Sequence, residues 1–281
     1  MTNTTPYLKR WEARSKGLPN YALLVEYDGT HFYGWQKQKD IPTVQSAIES
    51  AISIILSRNP ASRLSVAGRT DTGVHALGMV CNFKTEFPIP NFHKFLVSVN
   101  ALTKRGVSVK NIVEVPMDFH SRFSCTGREY IYKIYYSKYE SSFVEGRAYW
   151  EKHPVDWDYV ENQLTNLIGE KDFRSLTKAK SMAGKRSIRN IFDIRLERLT
   201  SDWIQVRIRA NGFMHNMVRI TVGTLLDIGK GRWKSRSIGS ILEEKNRSKA
   251  GITLPPDGLY FVRAYYEDYP EIHELYKIPL P

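Results

Sequence analysis

Hydrophobic and polar residues alternate along the chain with two different periods. Residues 43–56 repeat apolar side chains every three or four positions, which predicts an amphipathic helix with Thr43 as its N-cap. Residues 203–212 repeat them every second position, which predicts a strand with one buried and one solvent-facing side. The two series in that strand are Ile204, Val206 and Ile208 on the apolar side, and Gln205, Arg207 and Arg209 on the polar side. Helices and strands therefore both contribute to the fold.

The same two periods predict the remaining elements. Strands are expected at residues 21–29, 63–68, 75–83, 107–116, 128–136, 189–199 and 258–269. Helices are expected at residues 90–103, 156–173 and 213–229, with Leu164, Leu167 and Ile168 facing the core. Because strands and helices interleave with few tight β-α-β alternations, we expect an α+β fold of two sheet-and-helix halves, with the break near residues 116–122.

This pattern divides the chain into four parts. We expect a basic N-terminal arm, an N-terminal α/β half, a C-terminal α/β half and a C-terminal tail, at residues 1–20, 21–117, 118–269 and 270–281 respectively. The arm and the tail receive no predicted function.

Composition places the chain among soluble globular proteins. Its 281 residues are 42% hydrophobic and 25% charged. No apolar run approaches the roughly 20 residues that cross a bilayer, and the first residues resemble no secretory signal, so we expect a cytoplasmic protein without membrane association. Cys81 and Cys125 are interpreted as thiols in a reducing compartment, with a single disulfide as the alternative.

Positive charge is concentrated in one region. The chain carries a net charge of +12, and residues 174–219 hold eleven basic and three acidic side chains. A local excess of this size favours a polyanionic partner, with a solvated basic face as the alternative. No basic amphipathic helix or lipidation signal supports a membrane surface as that partner.

The stretch SVAGRTDTGVHALGMV at residues 65–80 holds the densest set of candidate chemical groups. It places Arg69, Asp71 and His75 among glycines between two predicted strands. A hairpin turn explains the aspartate and the glycines. It does not explain an arginine and a histidine within the same seven residues.

Two further residues are candidates for chemistry. Arg219 lies among apolar residues of a predicted helix, where a guanidinium needs a carboxylate partner or must reach solvent. Asp71 is the candidate partner, and a carboxylate held ionised in this way can act as a nucleophile or a base. Tyr130 lies on a predicted strand, where it either packs in the core or stacks on a nucleobase. The histidines lack metal-ligand spacing and no GxGxxG follows a strand, so we expect neither a metal nor a nucleotide cofactor.

Residues 67–78, AGRTDTGVHALG, resemble the catalytic motif of the tRNA pseudouridine synthase A (TruA-type) family. Further stretches match in the order of that family: YDGTHFYGWQKQ (27–38), TVQ (43–45), REYIY (128–132), GFMHNMVRITVGTLLDIGKGRW (212–233) and PPDGLYFVRAYY (255–266). The chain departs from the family at Leu176, where an aromatic residue is frequent, and at Met214, where leucine is frequent. Both residues are apolar, so the departures concern packing rather than chemistry.

The resemblance implies a fold and a function. The fold is two ferredoxin-like or RRM-like α/β halves that share a continuous antiparallel sheet, with a basic cleft between them. The function is isomerisation of uridine to pseudouridine in the anticodon stem-loop of tRNA, at positions 38, 39 and 40. The family is implied to act without metal or cofactor and as a homodimer.

The resemblance also assigns roles to residues. Asp71 corresponds to the catalytic aspartate, Arg219 to the arginine that pairs with it, and Tyr130 to the active-site tyrosine that stacks on the flipped uracil. Arg69 corresponds to the motif arginine, which is expected to fill the vacated stack. The basic residues expected to contact RNA phosphates are Lys178, Lys180, Lys185, Arg186 and Arg189. His75 is expected to support the turn rather than to take part in catalysis.

Three other functions compete with this interpretation. The chain could be a non-catalytic RNA-binding protein, a pseudouridine synthase for other RNA positions, or a cofactor-free hydrolase. Binding alone does not require a carboxylate that faces RNA phosphates, which argues against the first. Only Asp71 and His75 favour the third.

Overall fold

The computed structural model describes residues 17–57, 63–103, 105–178, 187–233 and 236–280. The chain forms two compact units, the first comprising residues 1–126 with 263–281 and the second comprising residues 127–262. The division after Thr126 lies beyond the stretch 116–122 where the sequence pattern places the break.

Strands and helices interleave along the whole chain. The strands are β1 Asn20–Tyr27, β2 Ser65–Val66, β3 His75–Lys84, β4 Val107–Val115, β5 Gly127–Tyr136, β6 Tyr149–Glu151, β7 Gly169–Asp172, β8 Ile188–Arg198, β9 Trp203–Ala210 and β10 Leu259–Tyr265. The helices are α1 Val44–Ile55, α2 Phe92–Leu102, α3 Trp157–Gln163, α4 Met217–Gly229, α5 Ile238–Glu243 and α6 Glu271–Leu275. The predicted α+β class is confirmed.

The first unit is built around β1. This strand pairs antiparallel with β3 on one side and β4 on the other, and β2 pairs with β3. Helix α1 packs against α2, and α2 and α6 pack against β4. The predicted N-cap of α1 is confirmed, because the Thr43 hydroxyl accepts a hydrogen bond from the Ser46 amide and the Ser46 side chain bonds back to the Thr43 amide.

The second unit has an antiparallel sheet in the order β5-β9-β8-β7, with β6 added parallel to β5. Helix α4 packs against β5, and within α4 every residue except Arg219 is buried. A helix that is buried on nearly all sides belongs in the core of its unit. Arg219 is the residue of this helix whose side chain is partly exposed.

The predicted alternation in β9 is confirmed on its apolar side and modified on its polar side. Ile204, Val206 and Ile208 are buried. Gln205 is buried as well, because its amide donates to Glu197 within a ladder of charged residues on the other face of the sheet.

Two predicted helices are shorter than their hydrophobic patterns suggest. Helix α3 ends at Gln163, and Gly169 with φ of +92° starts strand β7 where the pattern extends a helix to residue 173. Ile168 is consequently 43% exposed, so its predicted inward position is wrong. Helix α4 begins only at Met217, because Asn216 has the left-handed φ of +61° at its N-cap.

Cys81 and Cys125, both within the described part of the chain, form no disulfide. Cys81 is buried in β3, and burial raises the pKa of its thiol. Within the described ranges, no helix combines the length and the apolar character needed to span a membrane.

Candidate active site

The segment between β2 and β3 presents Arg69 and Asp71 to solvent. Both side chains are exposed, whereas Thr70 between them is buried. The Thr70 hydroxyl lies 2.7 Å from the Tyr27 hydroxyl, and the Thr70 carbonyl oxygen accepts from the Trp35 amide at 3.1 Å. A buried anchor between two exposed side chains fixes the direction in which each of them leaves the backbone.

The turn interpretation of this motif also holds. The Val74 amide donates to the Asp71 carbonyl oxygen at 3.2 Å, and Gly73 adopts the left-handed φ of +79°. Asp71 is therefore both the first residue of a turn and an exposed carboxylate. The turn does not use the carboxylate for its backbone hydrogen bond.

Two glycines of the YDGTHFYGWQKQ stretch let another backbone segment lie against the Asp71 loop. A Cβ on Gly29 would lie 2.2 Å from the Val74 carbonyl oxygen. Gly34 has φ of +85°, and a Cβ there would lie 2.6 Å from the Thr70 carbonyl oxygen. Neither position has room for a side chain. The sequence motif contains these two glycines, but only the structure shows that they contact the backbone of the Asp71 loop.

His75 stabilises the contact between Gly29 and the Asp71 loop. It is buried, its Nδ1 accepts from the Gly29 amide at 3.1 Å, and the same atom lies 3.3 Å from Asp28 Oδ1. This position agrees with the supporting role expected for His75.

Gln45 of the TVQ stretch links α1 to the segment that covers the Asp71 loop. Its buried side-chain oxygen accepts from Gln36 Nε2 at 2.9 Å and from the Lys37 amide at 3.0 Å. Its amide nitrogen donates to Glu49 Oε1 at 2.8 Å. A glutamine whose donor and acceptor are both used in the interior holds its neighbours in one arrangement.

A cleft of about 190 Å³ borders the Asp71 loop on the Arg69 side. Its polar lining includes the arginines Arg63, Arg69 and Arg122, together with Gln36, Ser65 and His120. Sequence reasoning did not place Arg63, Arg122 or His120 at a site. They lie on segments far apart in the chain, and only the fold brings them to one cleft.

His120 is held as a neutral imidazole. Its Nδ1 accepts from the Arg122 amide at 3.2 Å, which leaves Nε2 to donate to the Ser65 hydroxyl at 3.1 Å. Burial, followed by the charges of Arg122 and Lys84, lowers the pKa of His120 to about 4, with one backbone hydrogen bond acting in the opposite direction. His120 therefore carries no charge at neutral pH.

This state of His120 predicts an acid-dependent loss of stability. The pKa of about 4 in the folded chain lies below the ordinary value of 6.5, so the unfolded chain binds more protons between these two values. The free energy of unfolding should therefore be highest above pH 6.5 and fall by up to about 3 kcal/mol as the pH approaches 4. Urea unfolding at a series of pH values measures this slope.

His120→Asn is the matched variant for that measurement. Its amide oxygen can still accept from the Arg122 amide, but the side chain does not titrate. The variant should lose part of its stability at pH 7 and show a shallower slope between pH 6.5 and 4. An identical slope in both proteins would contradict the assignment.

Arg219 makes two hydrogen bonds within the second unit. Its Nε donates to the Leu254 carbonyl oxygen at 2.6 Å, and Nη1 donates to Asn216 Oδ1 at 3.1 Å. Nearby, the Tyr132 hydroxyl donates to the Pro255 carbonyl oxygen at 2.8 Å. Burial raises the pKa of Tyr132 well above its ordinary value, and the charge of Arg219 opposes this shift. Arg219 thus connects the start of α4 to the segment that precedes β10.

Tyr130 packs between two phenylalanines of the second unit. Its ring makes edge contacts with Phe213, at 5.0 Å between centroids, and with Phe261, at 5.2 Å. The side chain is 8% exposed. Tyr130 therefore belongs to an aromatic cluster as well as being a candidate site residue, so both alternatives for a tyrosine on this strand remain compatible with its position.

The predicted phosphate-binding residues are described only in part. Lys178 is exposed and its amide donates to the His215 carbonyl oxygen at 3.3 Å, next to α4. Arg189 lies on β8, half-buried. The three remaining members, Lys180, Lys185 and Arg186, lie outside the described residues.

Part of the positive charge in residues 174–219 is balanced on the sheet. Arg207 forms ion pairs with Glu129 and Glu197, and Arg195 Nε lies 3.0 Å from Glu197 Oε1. Arg198 is similarly paired with carboxylates of α3. The basic residues of 174–219 therefore divide into arginines whose ion pairs stabilise the sheet and residues that take no part in these ion pairs. In the described ranges no group of histidine, cysteine and acidic residues could hold a metal ion.

Comparison with known sequences connects these features to one class of enzyme. The chain matches the protein family described as tRNA pseudouridine synthase over residues 23–124 and 164–267. It is 82% identical over 264 residues to tRNA pseudouridine synthase A of Leptospira biflexa serovar Patoc, covering 94% of this chain and 100% of that protein. The enzyme of the same name from Leptospira interrogans is 49% identical, over 70% of this chain and 97% of that protein. The one from Acetivibrio thermocellus is 40% identical, over 88% of this chain and 99% of that protein.

These matches define the class as RNA-modifying isomerases that act on tRNA uridine. The chain belongs to the tRNA pseudouridine synthase A (TruA-type) family. Among solved structures, the archaeal box H/ACA sRNP Nop10–Cbf5 complex matches at a TM-score of 0.36 and 12% identity, over 87% of this chain and 49% of that chain. A likeness of that size decides nothing about the fold.

Proposed function

We propose that the chain forms pseudouridine in the anticodon stem-loop of tRNA, at positions 38, 39 and 40, with Asp71 as the catalytic nucleophile. The observation that carries this proposal is the exposed Asp71 carboxylate on a loop whose backbone is anchored on both sides. Tyr27 and Gly34 hold the side of Thr70, and the close contact of Gly29 with Val74 holds the other side. A nucleophile must approach a reacting atom closely, and a fixed loop supplies that position.

The reaction exchanges one bond of the nucleoside for another. The N1–C1′ bond breaks, the uracil turns, and a C5–C1′ bond forms. The proton on C5 leaves and N1 gains a proton, so the product is an isomer of the substrate and no cofactor enters the balance. The Asp71 carboxylate can attack C6 of the base or C1′ of the sugar, or it can remove the 2′ proton to give a glycal. Each route requires an ionised carboxylate and releases it unchanged at the end.

The target base must leave its stack before any of these routes begins. Extruding a stacked base costs a few kcal/mol. Arg69 is two residues from Asp71 on the same exposed loop, so its guanidinium is suited to fill the vacated stack and to contact the neighbouring phosphate. Tyr130 is proposed to stack on the flipped uracil and to assist removal of the C5 proton.

Arg219 is proposed to pair with the Asp71 carboxylate and to hold it ionised. The family resemblance carries this part of the proposal. The hydrogen bonds from Arg219 to Leu254 and Asn216 restrict the Arg219 guanidinium to one position in its own unit. Lys178, Lys180, Lys185, Arg186 and Arg189 are proposed to contact RNA phosphates, without reading base sequence. We further propose a cytoplasmic homodimer.

Incubation with an unmodified tRNA transcript, followed by base-resolved pseudouridine mapping, tests the substrate assignment. Pseudouridine at positions 38, 39 and 40, and at no other uridine, is the expected result. Product at other tRNA positions alone would overturn the anticodon assignment. Tight tRNA binding without any product would instead favour the non-catalytic RNA-binding alternative.

Replacing Arg219 by alanine should reduce activity and stability together. The free energy of unfolding should fall by about 1–3 kcal/mol, because the Leu254 carbonyl loses a charged donor. Turnover below the melting temperature should fall about 100-fold or more, because the nucleophile loses the group that holds it. Chemical denaturation and single-turnover kinetics measure the two effects.

Arg247→Ala is the matched control for this variant. Arg247 also bonds a backbone carbonyl of the second unit, that of Ala250 at 3.3 Å, and it has no proposed part in catalysis. The control should lose stability and keep turnover. A fully active Arg219→Ala protein with the wild-type melting temperature would contradict the pairing.

A further inference from the structure

The arginine cleft beside the Asp71 loop is a candidate anion site, and apart from Arg69 its residues have no part in the catalytic proposal. We define this arginine cleft by Arg63, Arg69, Arg122, Gln36, Ser65 and His120. The described residues that line it include three arginines and no aspartate or glutamate. Because His120 is neutral, the arginines set the sign of the charge. Like charges gathered on one concave surface create a positive potential that attracts an anion.

The loop that carries Arg122 is held in place by buried polar side chains. Asn20 Nδ2 donates to the carbonyl oxygens of Pro116 and Phe119, each at 2.9 Å. The Ser121 amide donates to Asn82 Oδ1 at 2.9 Å. Asn20, Asn82 and Ser121 are all buried. Such a network costs desolvation, so it is expected where a backbone position has to be exact to within a fraction of an ångström.

Arg122 itself is restrained at the edge of this loop. Its guanidinium carbon lies 5.7 Å from the centroid of the Phe123 ring, which is itself 4.6 Å from the His120 ring. The Arg122 amide donates to His120, and His120 donates to Ser65 of β2. This chain of contacts joins the loop of Arg122 to the strand that leads from Arg63 into the Asp71 loop. Two of the chain segments that line the cleft, those of Arg63 and Arg122, are thus held together by hydrogen bonds.

The cleft matches a phosphate group in chemistry. Guanidinium groups form paired, charge-assisted hydrogen bonds with phosphate oxygens, and exposed arginines keep their geometry better than lysines do. Gln36 adds a neutral polar side chain to the lining, and its Nε2 donates to Gln45 Oε1. The position of the cleft is equally informative, because Arg69 belongs both to the cleft and to the loop of the nucleophile.

We propose that the arginine cleft binds one phosphodiester of the substrate RNA backbone, close to the nucleotide that reaches Asp71. Arg63 and Arg122 are the anchoring residues, and they position the RNA without contacting the reacting atoms. This inference rests on the proposed function, because it takes an RNA strand at Asp71 as its starting point. It adds to that function a fixed backbone contact that any tRNA sequence can make.

The test uses Arg63→Ala, Arg122→Ala and the double variant, each in an Asp71→Asn background so that bound tRNA is not converted. Each single variant should weaken tRNA binding about tenfold. If the two arginines share one phosphate, the double variant should lower the slope of log Kd against log salt by about 1 rather than about 2. Lys94→Ala, which removes an exposed charge of α2 in the same unit, is the control and should change neither quantity.

Several outcomes would overturn the proposal. An unchanged salt slope in the double variant would remove the cleft from the RNA contact surface, and a slope lowered by about 2 would mean two separate phosphates. Inorganic phosphate is the probe for a free anion. A melting temperature that rises with phosphate only when Arg122 is present, with an unchanged tRNA slope, would assign the cleft to a small anion instead.

Folding and the proposed function are checked separately. Arg63 and Arg122 are exposed, so the variants should stay folded at the temperature of the binding assay, and their melting temperatures check this. Pseudouridine formation by the protein with Asp71 intact tests the function itself. Product from that protein, combined with arginine variants that bind tRNA as the parent does, would refute the cleft proposal alone.

Discussion

Replacing Asp71 by asparagine is expected to lower pseudouridine formation by more than about 10⁴-fold. The carboxamide has nearly the size of the carboxylate but carries no negative charge, so it can neither attack the nucleoside nor remove a proton from it. Asp71 is exposed and its carbonyl oxygen accepts the turn hydrogen bond from the Val74 amide. The variant should therefore keep this turn and the fold of the parent chain.

Binding of tRNA by the same variant should persist or become tighter. The substitution removes a negative charge that would face RNA phosphates, and phosphate contacts dominate the affinity of proteins for nucleic acids. Equilibrium binding and release of the C5 hydrogen as tritium, measured on the same preparation, separate binding from chemistry. This combination distinguishes a lost nucleophile from a misfolded site.

Asp40→Asn is the matched control for Asp71. It makes the same chemical change at another exposed aspartate of the first unit, and asparagine tolerates the φ of +57° found there. Its turnover should equal that of the parent. Substantial product from Asp71→Asn would refute the nucleophile assignment, whichever of the three chemical routes applies.

Replacing Gly29 by alanine should have the largest effect on stability. The new Cβ would lie 2.2 Å from the Val74 carbonyl oxygen and 2.7 Å from the Gly73 carbonyl carbon. Both contacts are with backbone, which cannot move aside as a flexible side chain can. Overpacking of this kind destabilises by about 1–3 kcal/mol and occasionally more, and we expect about 3 kcal/mol here.

Activity should fall in the same variant, even at temperatures where it remains folded. The backbone that must move belongs to the loop that positions Asp71, and a displacement of about 1 Å can reduce a rate about 100-fold. Denaturant unfolding and single-turnover kinetics at low temperature measure the two losses. A Gly29→Ala protein with parental stability and turnover would show that the two backbones are not in tight contact.

Gly239→Ala controls for the loss of a glycine as such. Gly239 lies in α5, and a Cβ there would lie 3.5 Å from Asn166 Oδ1, an ordinary van der Waals distance. Alanine favours helix by up to about 1 kcal/mol relative to glycine, so this variant should be as stable as the parent or slightly more stable. Comparing Gly29→Ala with Gly239→Ala separates the steric clash at Gly29 from the effect of glycine on backbone entropy.

The positions of the candidate site residues also show how the two units differ in character. Arg69 and Asp71 are exposed side chains on an anchored loop, whereas Tyr130 is buried among aromatic rings and Arg219 is partly buried and hydrogen-bonded within its own unit. Exposed groups can meet a large substrate without a structural change. Packed side chains keep one orientation, because the groups around them permit no other.

Hydrophobic period predicted most elements well and failed where backbone conformation interrupts it. The helix at α1 and the strand at β9 were predicted because their patterns extend over whole elements. The pattern over residues 156–173 contains an α-helix, a short 3-10 helix and a strand, and the strand begins at Gly169, whose φ is positive. Periodicity reports which side chains are apolar, and it is insensitive to one residue that reverses the backbone.

The sequence by itself determined the α+β class and the family, and it named candidate residues for the chemistry, because apolar periodicity and residue identity are local properties of the chain. Only the tertiary structure decided that Gly29 and Gly34 lie against the Asp71 loop, that His120 is neutral, and that Arg63 and Arg122 face one cleft. Each of these depends on groups that are distant along the chain and adjacent in space. They depend on steric exclusion, on burial and on the distance between charges, and a local sequence pattern contains none of these quantities.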